Sequence, residues 1–306
     1  RAGYDVQLAA GTITAGGTLG ILIPPSIMLV VMGPILNVPV TDLFAAAIMP
    51  GLMLAALYTG YTLIRCHLNP SLGPVVPEDL IPDSMREVWI EFFKGLVPPV
   101  LLVGSSLGSI LGGLATPTEG AAMGAVGSIF LTLAYGKLNF KVFQEALLKT
   151  LEITTLIMIL VCASNFFGSV FSRLGTPTMI TEALMLLDLP PTAILLIVMA
   201  LIFLLAWPLE WVPIVLIIIP IVLPLIEQLG FNLTWFGILV AVNLQTAWLS
   251  PPVALSAYFL KGVAPEWDLS DIYKGMMQFM AIQVVGLALI IIFPQIVLWL
   301  PTYLYG

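Results

Sequence analysis

The sequence predicts an all-α polytopic membrane protein that contains two broken helices and a re-entrant hairpin. Hydrophobic residues make up 60% of the chain and charged residues 9%, and the mean hydropathy is +1.10, a composition typical of integral membrane proteins. The apolar runs are about 20 residues long, which suits helices that cross a bilayer rather than barrel strands. Two of these runs contain a Pro-Pro pair, Pro24-Pro25 and Pro251-Pro252, and proline breaks a helix because it lacks the backbone donor.

The first broken helix is predicted to run from Leu8 to Gly33, with Pro24-Pro25 in its middle. A break at membrane depth is tolerated only where the freed backbone groups face protein or a wet cavity. In secondary transporters such breaks present half-helix ends and bare carbonyls to ions and substrate. The candidate cation-binding residues here are Gly16, Gly17, Thr18, Gly20, Pro24, Pro25 and Ser26.

The second broken helix repeats this design about 227 residues later, in Asn243–Gly262. One Pro-Pro break is equally well explained as an ordinary kink. Two breaks, each flanked by small and hydroxyl residues, are harder to explain in that way and indicate a transporter binding site. The candidate cation-binding residues here are Thr246, Ser250, Pro251 and Pro252.

The apolar runs predict seven crossings and one hairpin. The crossings are Leu8–Gly33, Leu43–Arg65, Gly95–Leu114, Pro117–Gly136, Leu151–Ser172, Leu233–Gly262 and Met276–Leu300. With Arg1 in the cytoplasm, nine of the ten Lys and Arg residues fall on the cytoplasmic side and only Arg173 falls outside, as the positive-inside rule requires. This count holds only if Pro190–Ile226 does not cross.

The segment Pro190–Ile226 is interpreted as a hairpin that enters from the periplasm and turns near Trp207–Pro213, because it contains Pro208, Pro213, Pro220 and Pro224 together with Glu210. The alternative is a pair of true spans with a polar turn outside. Intramembrane acids usually line an ion or substrate path, so Glu210 is a candidate ligand or proton site. Capping of the returning half-helix is the competing explanation.

Three other stretches have mainly structural interpretations. Thr116-Pro117-Thr118-Glu119 predicts a capping box that starts a span. Lys137–Lys149 predicts an amphipathic helix lying in the interface plane. Ser164 and Asn165 lie inside a span, where a buried Asn is expected to hydrogen-bond between helices, with a site role as the alternative.

Several function classes are disfavoured by the sequence. It has no HExxH motif and no nucleotide-binding loop, which argues against an enzyme. It has a single histidine, His67, and no CxxC pair, so a His-based cluster or a disulfide framework is not expected. A cation channel stays open, since channels also use carbonyl-lined breaks.

The collected stretches resemble the large membrane (M) subunit of tripartite ATP-independent periplasmic (TRAP) transporters, within the wider ion-transporter superfamily. The resemblance rests on Ala15–Gly33, Ala115–Ala122, Pro208–Pro224 and Asn243–Phe259. It implies inverted repeats, an elevator-type movement and sodium-coupled uptake. The RAGYD start, without Met or a leader pattern, predicts the C-terminal portion of a longer chain whose first hairpin would lie upstream.

The resemblance implies sodium as the coupling ion at the two Pro-Pro breaks and no other cofactor. It also implies a small membrane (Q-type) subunit and a periplasmic substrate-binding protein as partners, in the bacterial inner membrane. The substrate would be a small organic acid between the breaks and the hairpin tip. The candidate substrate-binding residues are Trp207, Pro208, Glu210, Pro213, Asn243 and Gln245. A stand-alone sodium–carboxylate symporter of the same superfamily is the alternative.

The predicted division of the chain follows from these elements. Residues 1–33 and 151–263 would form the transport domain, with the hairpin at 190–226 and the second broken helix at 233–262. Residues 34–150 would hold scaffold helices, the cytoplasmic loop and the interfacial helix. Residues 264–306 would form the C-terminal span.

Overall fold

The computed structural model describes residues 3–75, 84–251 and 254–306, and these residues form helices and connecting turns without a β-strand. Pro252, one of the predicted cation-binding residues, therefore lies outside the described residues. The helices are α1 (Val6–Leu22), α2 (Ile27–Leu36), α3 (Val40–Leu68), α4 (Met85–Gly95), α5 (Val97–Leu111), α6 (Pro117–Ala134), α7 (Phe140–Arg173), α8 (Thr176–Met185), α9 (Pro191–Leu205), α10 (Trp211–Pro213), α11 (Ile219–Gln228), α12 (Leu233–Trp248), α13 (Leu255–Val263), α14 (Leu269–Ile292) and α15 (Gln295–Tyr305). A π-helical stretch, Ile214–Ile218, joins α10 to α11.

The chain divides into two compact units. The first comprises Gly3–Pro74 and Leu160–Gly306, and the second comprises Val75–Ile159. The assignment of transport and scaffold roles to particular segments stays a prediction.

Helix α12 lies at the centre of the first unit. Every residue from Trp235 to Ala247 is buried, and α12 packs against α1, α2, α3, α9 and α14. A helix that is buried on all sides is expected to be largely apolar, and α12 is so except for its threonines, Asn243 and Gln245. The second predicted broken helix thus provides the core of the unit, and its break lies at the end of this buried helix.

Helices α1 and α14 approach each other closely within the same unit. A methyl group built on Gly275 would lie 2.0 Å from the backbone oxygen of Gln7, and one built on Gly11 would lie 2.6 Å from the oxygen of Gly275. Small residues at helix interfaces permit this approach in membrane proteins. The contact places α14 beside the first broken helix.

The second unit confirms the predicted capping box at the start of α6. The Thr116 amide donates to Glu119 Oε2 at 2.8 Å, and the Glu119 amide donates to Thr116 Oγ1 at 3.3 Å. Pro117 is the first helical residue, as predicted. Helix α6 packs on α5, where the Ser106 hydroxyl donates to the Gly120 carbonyl at 2.6 Å.

Two predicted boundaries are wrong. Helix α7 runs without interruption from Phe140 to Arg173, so the amphipathic piece predicted over Lys137–Lys149 is not a separate helix. The residues around Lys149 are strong helix formers without Gly or Pro, so nothing ends the helix there. The crossing predicted over Met276–Leu300 is instead divided at Pro294 into α14 and α15, because proline cannot continue the first helix.

Five helical stretches of the described residues are long and apolar enough to cross a membrane, or six when α1 and α2 count as one bent span. The count of seven crossings stays a prediction. Helix α9 has 15 residues, which is short for a bilayer core of about 30 Å and suits a hairpin arm. The second arm, Trp211–Gln228, is long enough to span, so the re-entrant depth of the hairpin also stays a prediction.

Candidate functional site

The first predicted break is present between α1 and α2, whose axes differ by 43°. Pro24 and Pro25 have no N–H, so the carbonyls of Gly20 and Ile21, one turn earlier, lose their helical donors. The Ser26 hydroxyl donates to the Ile21 carbonyl and also caps α2 by accepting from the Leu29 amide at 3.5 Å. The Gly20 carbonyl is left without a helical donor.

The second break has the same chemistry. Helix α12 ends at Trp248 and α13 begins at Leu255. The Ser256 hydroxyl donates at 2.6 Å to the Trp248 carbonyl, which lies one turn before Pro252. The Ser250 hydroxyl donates to the Ala247 carbonyl at 3.4 Å. In each break a serine hydroxyl therefore donates to a backbone carbonyl at the end of the preceding helix.

The four hydroxyl residues predicted to bind a cation are all buried. Thr18, Ser26, Thr246 and Ser250 are between 1% and 3% exposed. Each hydroxyl donates its proton to a backbone carbonyl of its own segment; for example, Thr18 donates to Ala15 at 2.8 Å. A hydroxyl that has donated its proton keeps two lone pairs as acceptors, which is what a hard cation requires of an oxygen ligand.

A pair of buried glutamines joins the two broken helices. The Gln245 side-chain amide donates to the Thr18 carbonyl at 2.9 Å, and the Gln283 amide donates to Gln245 Oε1 at 2.7 Å. Gln283 is fully buried in α14, and its Oε1 atom has no hydrogen-bond partner within the described part of the chain. The sequence interpretation missed Gln283, although a polar residue inside an apolar span is itself a signal.

The glutamine pair yields a testable coupling. We expect Gln283→Leu to destabilise the protein by about 1–3 kcal/mol, because the buried Gln245 oxygen loses its donor. Gln245→Leu should have an effect of similar size. The double variant should be less destabilised than the sum of the two, because Gln283 has no partner to lose once Gln245 is absent. Thermal unfolding of all four proteins measures the coupling, and additive losses would show that the glutamines act independently.

The hairpin turn lies against the second break. Trp207, Pro208 and Glu210 line a cleft of about 100 Å³ together with Trp248, and the indole N–H of Trp207 is buried without a partner in the described structure. Ligand pockets for small molecules usually measure about 300–1,000 Å³. This cleft therefore has room for about three waters, at about 30 Å³ each, or for a cation that keeps one or two of its waters, but it is too small for an organic acid.

Glu210 occupies the N-cap position of α10, but its side chain makes no capping hydrogen bond. The capping interpretation of this carboxylate is therefore wrong for this conformation. The carboxylate is exposed towards the cleft and forms no ion pair with a basic residue in the described ranges. It is thus free to accept a cation.

The other predicted site residues are placed differently. Asn243 is buried and its amide donates to the Met199 carbonyl at 2.8 Å, so, like Gln245, it holds helices together and is not open to a substrate here. Gly16, Gly17 and Gly20 lie on the exposed face of α1 with open space beside them. Pro213 ends α10 and is not in the cleft. Their ligand roles stay predictions.

Within the described residues no group of three His, Cys, Asp or Glu side chains is close enough to hold a metal ion. A cation at the breaks would therefore be bound by hydroxyl and carbonyl oxygens, with Glu210 as the nearby acid. Such ligands are those of hard, oxygen-seeking cations rather than of transition metals.

Two broken helices whose hydroxyls and freed carbonyls lie in a buried core are the arrangement found in secondary transporters. The chain matches, over residues 1–296, the model of the family described as "Tripartite ATP-independent periplasmic transporter, DctM component". The chain belongs to this family, as the sequence motifs predicted. It is accordingly a transporter permease component of the inner membrane with several membrane-spanning helices, and not an enzyme.

Curated relatives match almost the whole chain. The sialic acid TRAP transporter permease protein SiaT of Haemophilus influenzae is 26% identical over 99% of this chain and 48% of its own length. The C4-dicarboxylate TRAP transporter large permease protein DctM of Pseudomonas aeruginosa is 30% identical over 99% of this chain and 70% of its length. The 2,3-diketo-L-gulonate TRAP transporter large permease protein YiaN of Escherichia coli is 26% identical over 97% of this chain and 68% of its own length. The chain thus spans between 48% and 70% of the length of these relatives.

Proposed function

We propose that this chain is part of a large TRAP permease that takes up a small organic acid by coupling it to sodium entry. The observation that carries the proposal is the set of four buried hydroxyls at the two breaks, which donate their protons to backbone carbonyls and so keep lone pairs on their oxygens. Sodium, like other hard cations, is bound by such oxygens. The names of the relatives, which cover sialic acid, C4-dicarboxylates and diketogulonate, support an organic acid as the substrate.

The partners are part of the same proposal. The family description names a tripartite system, so we expect a small membrane subunit and a periplasmic binding protein that delivers the substrate. We further expect the broken-helix core to move across the membrane as a unit, in the manner of an elevator. The glutamine pair that joins the breaks supports this, since it connects both broken helices to α14.

Uptake into vesicles tests the proposal. The full-length permease, reconstituted with its small subunit and supplied with its binding protein, should accumulate the acid when sodium is imposed outside and should not do so with potassium. Uptake that is independent of sodium would contradict the coupling. Uptake that needs sodium but no binding protein would instead identify a stand-alone symporter, and conductance without coupling would identify a channel.

Glu210 gives a sharper test of the cation path. Because its carboxylate is exposed and lacks a partner in the described structure, Glu210→Gln should leave the free energy of unfolding within about 0.5 kcal/mol of the parent. We expect the same variant to need more sodium for half-maximal uptake. Vesicle uptake at several sodium concentrations, beside a thermal unfolding curve, measures both effects. An unchanged sodium dependence would exclude Glu210 from the cation path.

A further inference from the structure

A second polar cleft in the first unit is large enough for an organic acid. It lies between the part of α7 after Leu160, the start of α8, and the wall formed by the π-helical stretch and α11, and its volume is about 630 Å³. This volume is within the range of small-molecule sites, whereas the cleft at the hairpin turn is not. We call it the Arg173 cleft. Its polar side chains are Ser164, Asn165, Ser169, Ser172, Arg173 and Thr178.

The polar residues of α7 that line the Arg173 cleft are spaced so that they lie on one side of the helix. Ser164 and Ser172 are two turns apart, as are Asn165 and Arg173, so these side chains share one side of the helix. The interhelical hydrogen bond predicted for Asn165 is absent from the described contacts, and its side chain is exposed in the cleft instead. A polar face near the end of an apolar helix needs partners that lipid cannot supply.

Ser164 contributes a hydroxyl to the cleft wall. Its side chain is 5% exposed and lines the cleft, and its hydroxyl makes no hydrogen bond with another residue that the structure describes. The hydroxyl oxygen is reached from the cleft. A ligand in the cleft can therefore bond to it without breaking a contact within the protein.

The opposite wall supplies acceptors. Pro220 and Pro224 both line the cleft. Because Pro224 has no N–H, the Pro220 carbonyl one turn earlier lacks its helical donor. A ligand with hydroxyl groups can donate to this wall and accept from the serines of α7.

The charge of the cleft indicates one carboxylate on the ligand. Arg173, the last residue of α7, is its only charged lining residue and forms no salt bridge with an acid within the described ranges. Guanidinium binds carboxylate by paired hydrogen bonds. The neighbouring cleft shares Thr178 and Pro224 but carries the acid Glu182, which disfavours a second carboxylate on that side.

We propose that the Arg173 cleft binds a monocarboxylate that carries several hydroxyl groups, such as a sugar acid, before it reaches the broken helices. One arginine pairs with the carboxylate, and the serines, Asn165, Thr178 and the freed carbonyl bond the hydroxyls. The inference rests on the proposed function, because it names the class of the transported acid. The predicted position of Arg173 on the periplasmic side suits a first contact with incoming substrate.

Direct binding to the permease tests the cleft. The full-length permease with its small subunit, in nanodiscs of phosphatidylcholine alone, is titrated with four probes while its thermal unfolding is followed. Gluconate has one carboxylate and five hydroxyls, sorbitol has hydroxyls only, hexanoate has a carboxylate only, and succinate has two carboxylates. Gluconate should bind at least about tenfold more tightly than the other three, since only it satisfies both walls.

Three variants locate the binding. Arg173→Gln should weaken gluconate binding about tenfold or more and leave sorbitol binding unchanged. Arg173→Lys should lose less of the affinity for gluconate, because the positive charge remains. Ser164→Ala should weaken gluconate and sorbitol alike. Lys149→Gln, the same change of charge at an exposed site on the same helix, is the matched control and should bind all probes as the parent does.

Several results would overturn the proposal. One is an equal affinity for gluconate and hexanoate, and another is tighter binding of succinate than of gluconate. A third is an affinity for gluconate that is the same in Arg173→Gln and in the parent. A difference between these two proteins that appears only when phosphatidylglycerol is added, without gluconate, would show a lipid-headgroup site instead. The proposed function fails separately: sodium-driven succinate uptake without gluconate binding refutes only the cleft, and gluconate binding without sodium-driven uptake refutes only the coupling.

Discussion

Gly275→Ala is expected to destabilise the protein by about 3 kcal/mol or more, although alanine is the better helix former. The added methyl group would lie 2.0 Å from the backbone oxygen of Gln7, and a backbone atom cannot move aside as a flexible side chain can. Overpacking of this kind forces helices apart. Because Gln283 lies about two turns further along α14, the separation should also weaken its bond to Gln245 and reduce uptake.

A glycine in open space is the matched control for this substitution. Gly60 lies in α3 with no atom within 4 Å of a methyl group built on it, so Gly60→Ala should stabilise the helix by about 0.5–1 kcal/mol. Thermal unfolding of the two variants in the same detergent compares them. If Gly275→Ala were as stable as Gly60→Ala, α1 and α14 could not approach as closely as the structure shows.

The parts of this fold that sequence predicts are those set by local backbone chemistry. Pro24-Pro25 ends α1 because two donors are missing in succession, and Thr116 with Glu119 starts α6 because their side chains satisfy each other's amides. Such signals lie within one turn of the chain, so no tertiary information is needed. The continuity of α7 was missed because hydrophobic patterning marks where a helix meets the bilayer, not where it ends.

The parts that sequence could not predict depend on contacts between distant helices. Gln283 bonds to Gln245 from another helix, and nothing within either segment specifies that meeting. Glu210 illustrates the same limit, since its position before α10 predicts a cap while its side chain points into a cleft shared with Trp248. Positions along the chain indicate candidate residues, but tertiary packing determines which of their atoms remain free.

Thr18→Val and Thr246→Val are each expected to raise the sodium concentration for half-maximal uptake by about tenfold or more. Valine keeps the shape of threonine but removes the hydroxyl oxygen, and loss of one interaction with a charged partner is worth about 1.5–3 kcal/mol, which is roughly 10-fold to 100-fold in affinity. The affinity for the organic acid at saturating sodium should change less. Vesicle uptake across a range of sodium concentrations gives both values.

Thr14→Val separates this effect from simple loss of a buried hydroxyl. Thr14 lies one turn before Thr18 on α1, is 4% exposed, and donates to the Ala10 carbonyl at 2.7 Å, just as Thr18 donates to Ala15. Thr14→Val removes the same kind of bond, but Thr14 lies away from the break. The sodium dependence of this variant should therefore match that of the parent. If all three variants needed the same sodium concentration as the parent, the hydroxyls would serve only to hold their helices. If Thr14→Val behaved like Thr18→Val, the effect would come from helix stability and not from sodium binding at the breaks.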